Sequence, residues 1–190
     1  MAHIAQREFC QSVQRRFPTW FAHGSVLDCG SLDLNGNNRY LFTGGTYLGL
    51  DVAHGKNVDI VSPIHKFNAR DGMFDFIVST ECFEHDMYWK ESFANMYRML
   101  RDGGMLMFTC AAPGRPEHGT LRSEPESAPL LAACGEEWAN YYRNLSDEDY
   151  RGAFDIVSGF SQFEFRLNNV AKDLYFWGIK RDGGVLTARE

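Results

Sequence analysis

The chain has 190 residues with 44% hydrophobic and 14% aromatic content, enough for one domain with its own core and too short for two large ones. A formal charge of -6 and a pI near 5.5 argue against a phosphate-neutralising surface, because nucleic-acid affinity needs clustered Lys and Arg, and a small or neutral partner fits better. Cys10, Cys29, Cys82, Cys110 and Cys134 are scattered, odd in number and never at CxxC spacing, which suggests reduced, buried thiols and neither a disulfide framework nor a zinc site. Gln6, Arg7 and Glu8 stand where a signal peptide would be apolar, and no stretch approaches a membrane span, so a cytoplasmic location is expected.

In chain order, Phe9, Cys10, Val13 and Phe17 sit at helical spacing within residues 3–17 and Pro18 ends the pattern, predicting an amphipathic N-terminal helix inside residues 1–20. Short apolar runs follow at 26–29, 47–52, 58–61, 74–79 and 105–110, each bounded by Gly, Asp, Asn or Pro. Such runs are strands buried on both faces, hence a parallel sheet. The connections between the first three are too short for full crossover helices. Between the fourth and fifth, Trp89, Phe93, Met96, Tyr97 and Leu100 mark one face of a helix that Asp86 would cap and Gly103-Gly104 would end.

Residues 113–129, rich in Pro, Gly, Ser and charge, read as a loop long enough to be functional, and the whole 113–152 segment as an insertion over the substrate side. Ser146 and Asp149 have capping-box spacing ahead of a short helix. Near the end, Phe163, Phe165 and Leu167 alternate with Glu164 and Arg166, and LYFWGIK follows, which predicts two antiparallel strands at the sheet edge.

The stretch SVLDCGSLDLNG, residues 25–36, poses the functional question. A Gly just past a first strand lets a ligand approach the backbone, and an acidic residue ending the second strand can receive ribose hydroxyls; Gly30 and Asp51 stand at about the expected 20-residue separation. The second and third glycines of a dinucleotide fingerprint are missing, and Leu32 and Asp33 sit where a pyrophosphate would need bare backbone. An adenosine ligand without a pyrophosphate fits better.

With VLDCGS, LGLDV, FDFIVSTECFEHD, MLRDGGMLMFTC and the terminal FEFRLNN and DLYFWGIKR in order, the chain resembles the class I S-adenosylmethionine-dependent methyltransferases of the small, single-domain, type 11-like kind, over about Ser25 to Lys180. The resemblance implies one domain over 1–190, a Rossmann-like three-layer sandwich with a seven-stranded, mostly parallel sheet antiparallel at its last strand, and S-adenosyl-L-methionine across the carboxyl ends of the first strands. It places Asp28, Gly30 and Ser31 along the methionyl part, Asp51 at the ribose, Val52 at the adenine, Ile64 and His65 at the adenine edge, and Ser79, Thr80 and Glu81 on the methionyl side. Many relatives have G-x-G in the first loop and an Asp after the third strand; here VSPIH offers Ser62 and His65.

On the acceptor side, His85 and His118 are candidates for a general base, the alternative for each being an ordinary backbone-bonded or solvated histidine. Trp138, Tyr141 and Tyr142 would be either an aromatic platform or core under a lid. Arg115, Tyr141 and Tyr142 suit a polar small molecule or glycan, with O-methylation expected. No Asn- or Asp-Pro-Pro-aromatic signature of nucleic-acid amino-methylation follows the fourth strand, where STEC stands. Cys82 and Cys110 lack a basic cluster that would make either a nucleophile. No metal is expected, because the motif-bearing loops show no clear oxygen or imidazole ligand set in sequence, and the oligomeric state is open. The rival readings are a noncatalytic S-adenosylmethionine-binding module and a nicotinamide-dependent oxidoreductase.

Overall fold

A computed structural model describes residues 3–189 of the chain. Seven strands, β1 (Ser25–Cys29), β2 (Thr46–Asp51), β3 (Ile60–Val61), β4 (Phe74–Thr80), β5 (Leu100–Ala111), β6 (Phe160–Asn168) and β7 (Asp173–Lys180), form one sheet in the order 3-2-1-4-5-7-6. Pairing is parallel from β3 to β5, while β7 runs antiparallel to both β5 and β6. This is the α/β Rossmann-like methyltransferase architecture, with the last strand reversed.

The period of two in the strands explains the three layers. Val26, Phe76, Val78, Met105, Met107 and Trp177 point to one face and meet α1 (Ile4–Arg16) and α2 (Pro18–Ala22) through Phe9, Cys10, Val13 and Phe21. Leu27, Cys29, Ile77, Leu106, Phe108 and Phe176 point to the other, where α3 (Trp89–Met99), α5 (Asp147–Ala153) and α6 (Ile156–Gly159) supply Phe93, Met96, Tyr150 and Ile156. Apolar residues therefore fill consecutive strand positions, as a sheet covered on both sides requires. Among the described residues no helix is long and apolar enough to cross a membrane.

α1 follows its sequence pattern, with His3 as N-cap accepting the Gln6 N–H. Between β1 and β2 lies only a single 3-10 turn, 39–41, and between β3 and β4 another, 64–66. Three local expectations are corrected. β3 has only two residues, because Asn57 takes a left-handed φ of 69° and the exposed Asp59 folds back on β2, its N–H bonding the Gly49 carbonyl and its carboxylate the Gly49 N–H. α3 begins at Trp89 with Tyr88 at the cap position, and Asp86 acts one step earlier: its carboxylate accepts the Tyr88 N–H and the Ser92 hydroxyl. The helix ends at Met99, not at Gly103-Gly104, since Leu100 already pairs with Phe74 and β5 reaches register with Phe76 only at Met105, past a bulge.

The 113–152 segment carries two 3-10 turns (125–127 and 129–134), α4 (Glu136–Ala139) and α5. Leu131, Trp138 and Ala139 pack with Val52, Met87 and Tyr141, seating this segment on the loops after β2 and β4. The expected capping box at Ser146 and Asp149 is formed, each side chain bonding the other's backbone N–H.

Candidate active site

Because β1 is flanked by β2 on one side and β4 on the other, the connections leaving their carboxyl ends diverge and open a crevice, the general ligand position of open parallel sheets. The cleft there is open to solvent and spans about 910 Å³, within the usual size of small-molecule sites. Its walls include Asp28, Gly30, Ser31, Asp51, Val52, Ile64, Thr80, Glu81 and His85, nine of the residues expected from the sequence.

Gly30 has φ +76°, and a Cβ there would lie 2.6 Å from Cys82 Sγ, so only glycine lets the β1 loop pass this close to the β4 loop. Gly30 and Ser31 donate their N–H groups to the Leu50 carbonyl, and Ser31 and Asn57 exchange side-chain to backbone bonds, which lock the loop to β2. Asp51 ends β2 with its carboxylate accepting the N–H groups of Leu32 at 2.9 Å and Val52 at 2.7 Å. Burial raises its pKa, and each oxygen keeps a further lone pair for a ligand hydroxyl. Asp28 is buried and takes the Tyr47 hydroxyl on one oxygen, while the other has no partner; burial, with the nearby Asp51 charge, pushes it up to about 7.

Glu81 follows β4 with a left-handed φ of 53° and accepts the Thr109 hydroxyl at 2.9 Å. Burial alone would raise its pKa, but the His3 imidazole 3.7 Å away holds it below the usual range. His3 also lies 3.0 Å from Asp173 and is raised to about 9, first by that carboxylate and then by Glu81. Arg115 completes this cluster by bonding Asp173 and the Ala171 carbonyl.

The second centre lies beside the cleft, on the 3-10 turn 83–85 and the loop after β5. Glu84 is fully buried, with its carboxyl pushed up to about 8 by that burial. His85, also buried, is held down to about 3 by loss of hydration, and His118 is lowered by the same cause. The two imidazoles stand at 90° with centroids 5.1 Å apart, and the Tyr142 ring touches both at 5.6 and 5.1 Å. Trp138 Nε1 donates to the His85 carbonyl at 2.8 Å, fixing the turn under the overlying segment.

Several expected residues lie outside the cleft. Ser79 is buried and donates its hydroxyl to the Cys29 carbonyl, tying β4 to β1. His65 stacks on Tyr88 at 4.2 Å, next to Trp138. Arg115 is held by Asp173, and Tyr141 packs in the Leu131 and Trp138 cluster. His118 and Tyr142 reach the site through His85. Sequence reasoning missed the cleft contacts of Leu34, Asn38, Cys82, Asp86, Ser127 and Leu130; the first, third and fourth lie inside quoted motifs without a cleft role assigned, and the others in loops without a motif. Burial raises the Cys82 and Cys110 thiols well above their ordinary range, so neither is poised as a thiolate. Glu84, His85 and His118, which share no spacing in the sequence, bring their ligand atoms within 4.8 Å of one another.

A family profile described as a methyltransferase domain matches residues 1–165. A search of curated proteins finds no match. Among solved structures, phosphoethanolamine N-methyltransferase 2 of Haemonchus contortus, in complex with S-adenosyl-L-methionine, is similar over 92% of this chain and 53% of its own at 15% identity, with a TM-score of 0.63. The chain thus spans about half the length of that protein. YcgJ of Bacillus subtilis is similar over 93% of this chain and all of its own at 16% identity, TM-score 0.53. A 1,6-didemethyltoxoflavin-N1-methyltransferase of Burkholderia thailandensis, with bound 1,6-didemethyltoxoflavin and S-adenosylhomocysteine, is similar over 96% of this chain and 93% of its own at 15% identity, TM-score 0.50.

Proposed function

We propose, for a chain that belongs to the methyltransferase domain family, methyl transfer from S-adenosyl-L-methionine to a small polar acceptor, a hydroxyl-bearing small molecule or glycan. The observation that carries this reading is the junction of two sites: a cleft with Gly30 and Asp51 at the strand switch, and a buried imidazole pair that reaches the cleft through His85. In this reading the adenosine lies between Asp51, Val52 and Ile64, and the methionyl arm between Asp28, Gly30, Thr80 and Glu81. The unpartnered oxygen of Asp28 and the anionic Glu81 suit the ammonium of that arm.

The reaction moves a methyl group from sulfur to the acceptor atom as the S–CH₃ bond breaks, so the acceptor lone pair must lie in line behind the methyl group. Holding it there can supply several kcal/mol of barrier reduction, up to about 7–11 in ideal cases. A hydroxyl must also lose its proton. His85 and His118, both kept neutral by burial, are in the proton-accepting form at neutral pH, and His85 is the one on the cleft wall. Tyr142 holds both rings in place, its hydroxyl donating to the Pro116 carbonyl.

Titration calorimetry with S-adenosylmethionine, S-adenosylhomocysteine and NAD tests the donor: binding of the first two and not the third is expected, and preference for NAD would sink the reading. An acceptor panel of hydroxy acids, sugars and amines, read by mass spectrometry for one added methylene, tests the acceptor class. Methylation confined to amines would overturn the hydroxyl assignment.

A further inference from the structure

Buried polar atoms without partners are rare in folded proteins, and each asks for a reason. Here four gather at one place. Among the described residues neither carboxylate oxygen of the fully buried Glu84 has a hydrogen-bond partner, nor has Nδ1 of His85 or Nε2 of His118. One ligand atom from each of these side chains lies within 4.8 Å of the others, and His118 Nε2 is 4.0 Å from Glu84 Oε1, too far for a hydrogen bond. Tyr142, the neighbouring hydroxyl, gives its hydrogen to the Pro116 carbonyl instead.

The second group of similar composition shows the contrast. His3, Glu81 and Asp173 are also within ligand distance of one another, but Arg115 and Thr109 already bond those carboxylates, and His3 stands 3.0 Å from Asp173. Glu81 Oε2 and His3 Nε2 lack hydrogen-bond partners there among the described residues, but Arg115 already holds Asp173 and lies 3.9 Å from Glu81, so a cation of the protein occupies that group. Glu84 has no Lys or Arg within ion-pair distance among the described residues.

The orientation of the imidazoles adds a second observation. His118 Nδ1 lies 3.0 Å from the Pro116 carbonyl, so the proton belongs on Nδ1 and the lone pair of Nε2 faces Glu84. A backbone carbonyl on the far nitrogen is the usual outer support of a metal-bound histidine. Gly119, at φ +67°, has no room for a Cβ, which would stand 2.6 Å from His85 Cε1; the absence of a side chain lets the loop press His118 beside His85.

We infer that Glu84, His85 and His118 form a binding site for a divalent first-row transition-metal ion at the inner wall of the cleft. Two imidazoles and one carboxylate are a donor set for zinc, iron, cobalt or manganese, and bonds of about 2.0–2.2 Å bring ligands to roughly 3.4 Å from one another. Ligation would draw the 4.0 Å separation of His118 and Glu84 in to about that value. One cation would satisfy all three side chains at once, and His85, which lines the cleft, would hold it beside the space the acceptor needs. There the ion would acidify a bound hydroxyl, with the imidazoles serving as ligands rather than as free bases; that use rests on the proposed function, whereas metal binding does not.

The untagged chain, stripped with a chelator, is titrated with Zn²⁺ and with Co²⁺ in the absence of any nucleoside. Expected are one equivalent of Zn²⁺ retained through gel filtration and visible Co²⁺ bands without thiolate charge transfer, since no cysteine is in the donor set. Glu84→Gln and His118→Ala should each weaken Zn²⁺ affinity by at least about tenfold, the loss that even the outer partners of metal sites bring. His118→Gln, checked by circular dichroism, serves if Glu84→Gln fails to fold. No stoichiometric binding by the folded wild-type chain, thiolate bands, or affinity unchanged in the His118 variants would each overturn the site. A chain that binds Zn²⁺ but not S-adenosylmethionine would refute the donor reading and leave this one standing.

Discussion

Replacing Asp51 by Ala is the sharpest probe of the donor site. The carboxylate does two things in this structure: it accepts the N–H groups of Leu32 and Val52, and it presents its remaining lone pairs to the cleft. If those lone pairs receive the ribose, the variant loses a charge-assisted bond of about 1.5–3 kcal/mol, which converts to a loss of affinity of about 10- to 150-fold. The freed Leu32 and Val52 N–H groups face a half-open cleft where water can reach them, so the stability cost should stay near 1 kcal/mol per bond or below. The assay is titration calorimetry with S-adenosylmethionine and S-adenosylhomocysteine, paired with a thermal melt of the same sample. Unchanged affinity in a folded variant would refute the ribose assignment, and an equal loss in an Asn57→Ala control, which unties the same loop from outside the cleft lining, would assign the effect to loop collapse instead.

Other expectations follow from the same geometry. His118→Ala and Tyr142→Ala should keep donor affinity within about twofold while lowering turnover at least tenfold, because neither side chain lines the donor cleft; weakened donor binding would place them there. Asp28 is raised from 3.8 to about 7 on folding, so the stability it contributes is fully present below pH about 4 and is lost as the pH climbs through about 7, by roughly 4 kcal/mol at 1.36 kcal/mol per pKa unit. Urea melts between pH 4 and 8 should show Asp28→Asn flattening that slope, and parallel profiles would contradict the burial argument. Gly119→Ala forces a left-handed alanine, costing about 1–2 kcal/mol, and drives a methyl group into His85. Turnover should fall more than tenfold with donor affinity nearly kept; wild-type turnover would show that the His85 position does not matter.

The sequence by itself determined the order of elements, the doubly buried strands and the placement of Gly30 and Asp51 on one crevice. These are legible because they depend on local periodicity and on one strand-turn-strand unit: Val26 and Leu27 must face opposite layers, and a residue ending β2 must lie beside the residue after β1. The start of β5 was not legible, since Leu100 continues the helical pattern of α3 and only its pairing with Phe74 makes it strand. The fates of Ser79 and Arg115 were decided the same way, one by the Cys29 carbonyl and one by Asp173, partners 50 and 58 residues distant. The meeting of Glu84 and His85 with His118 is the extreme case. Adjacent residues on a 3-10 turn and a histidine in a Pro- and Gly-rich loop carry no common spacing; β4 and β5 being neighbours, and Trp138 pinning the overlying segment to the His85 carbonyl, bring them into one buried centre. Charge separation, burial and partner atoms are properties of that packing, and no linear pattern encodes them.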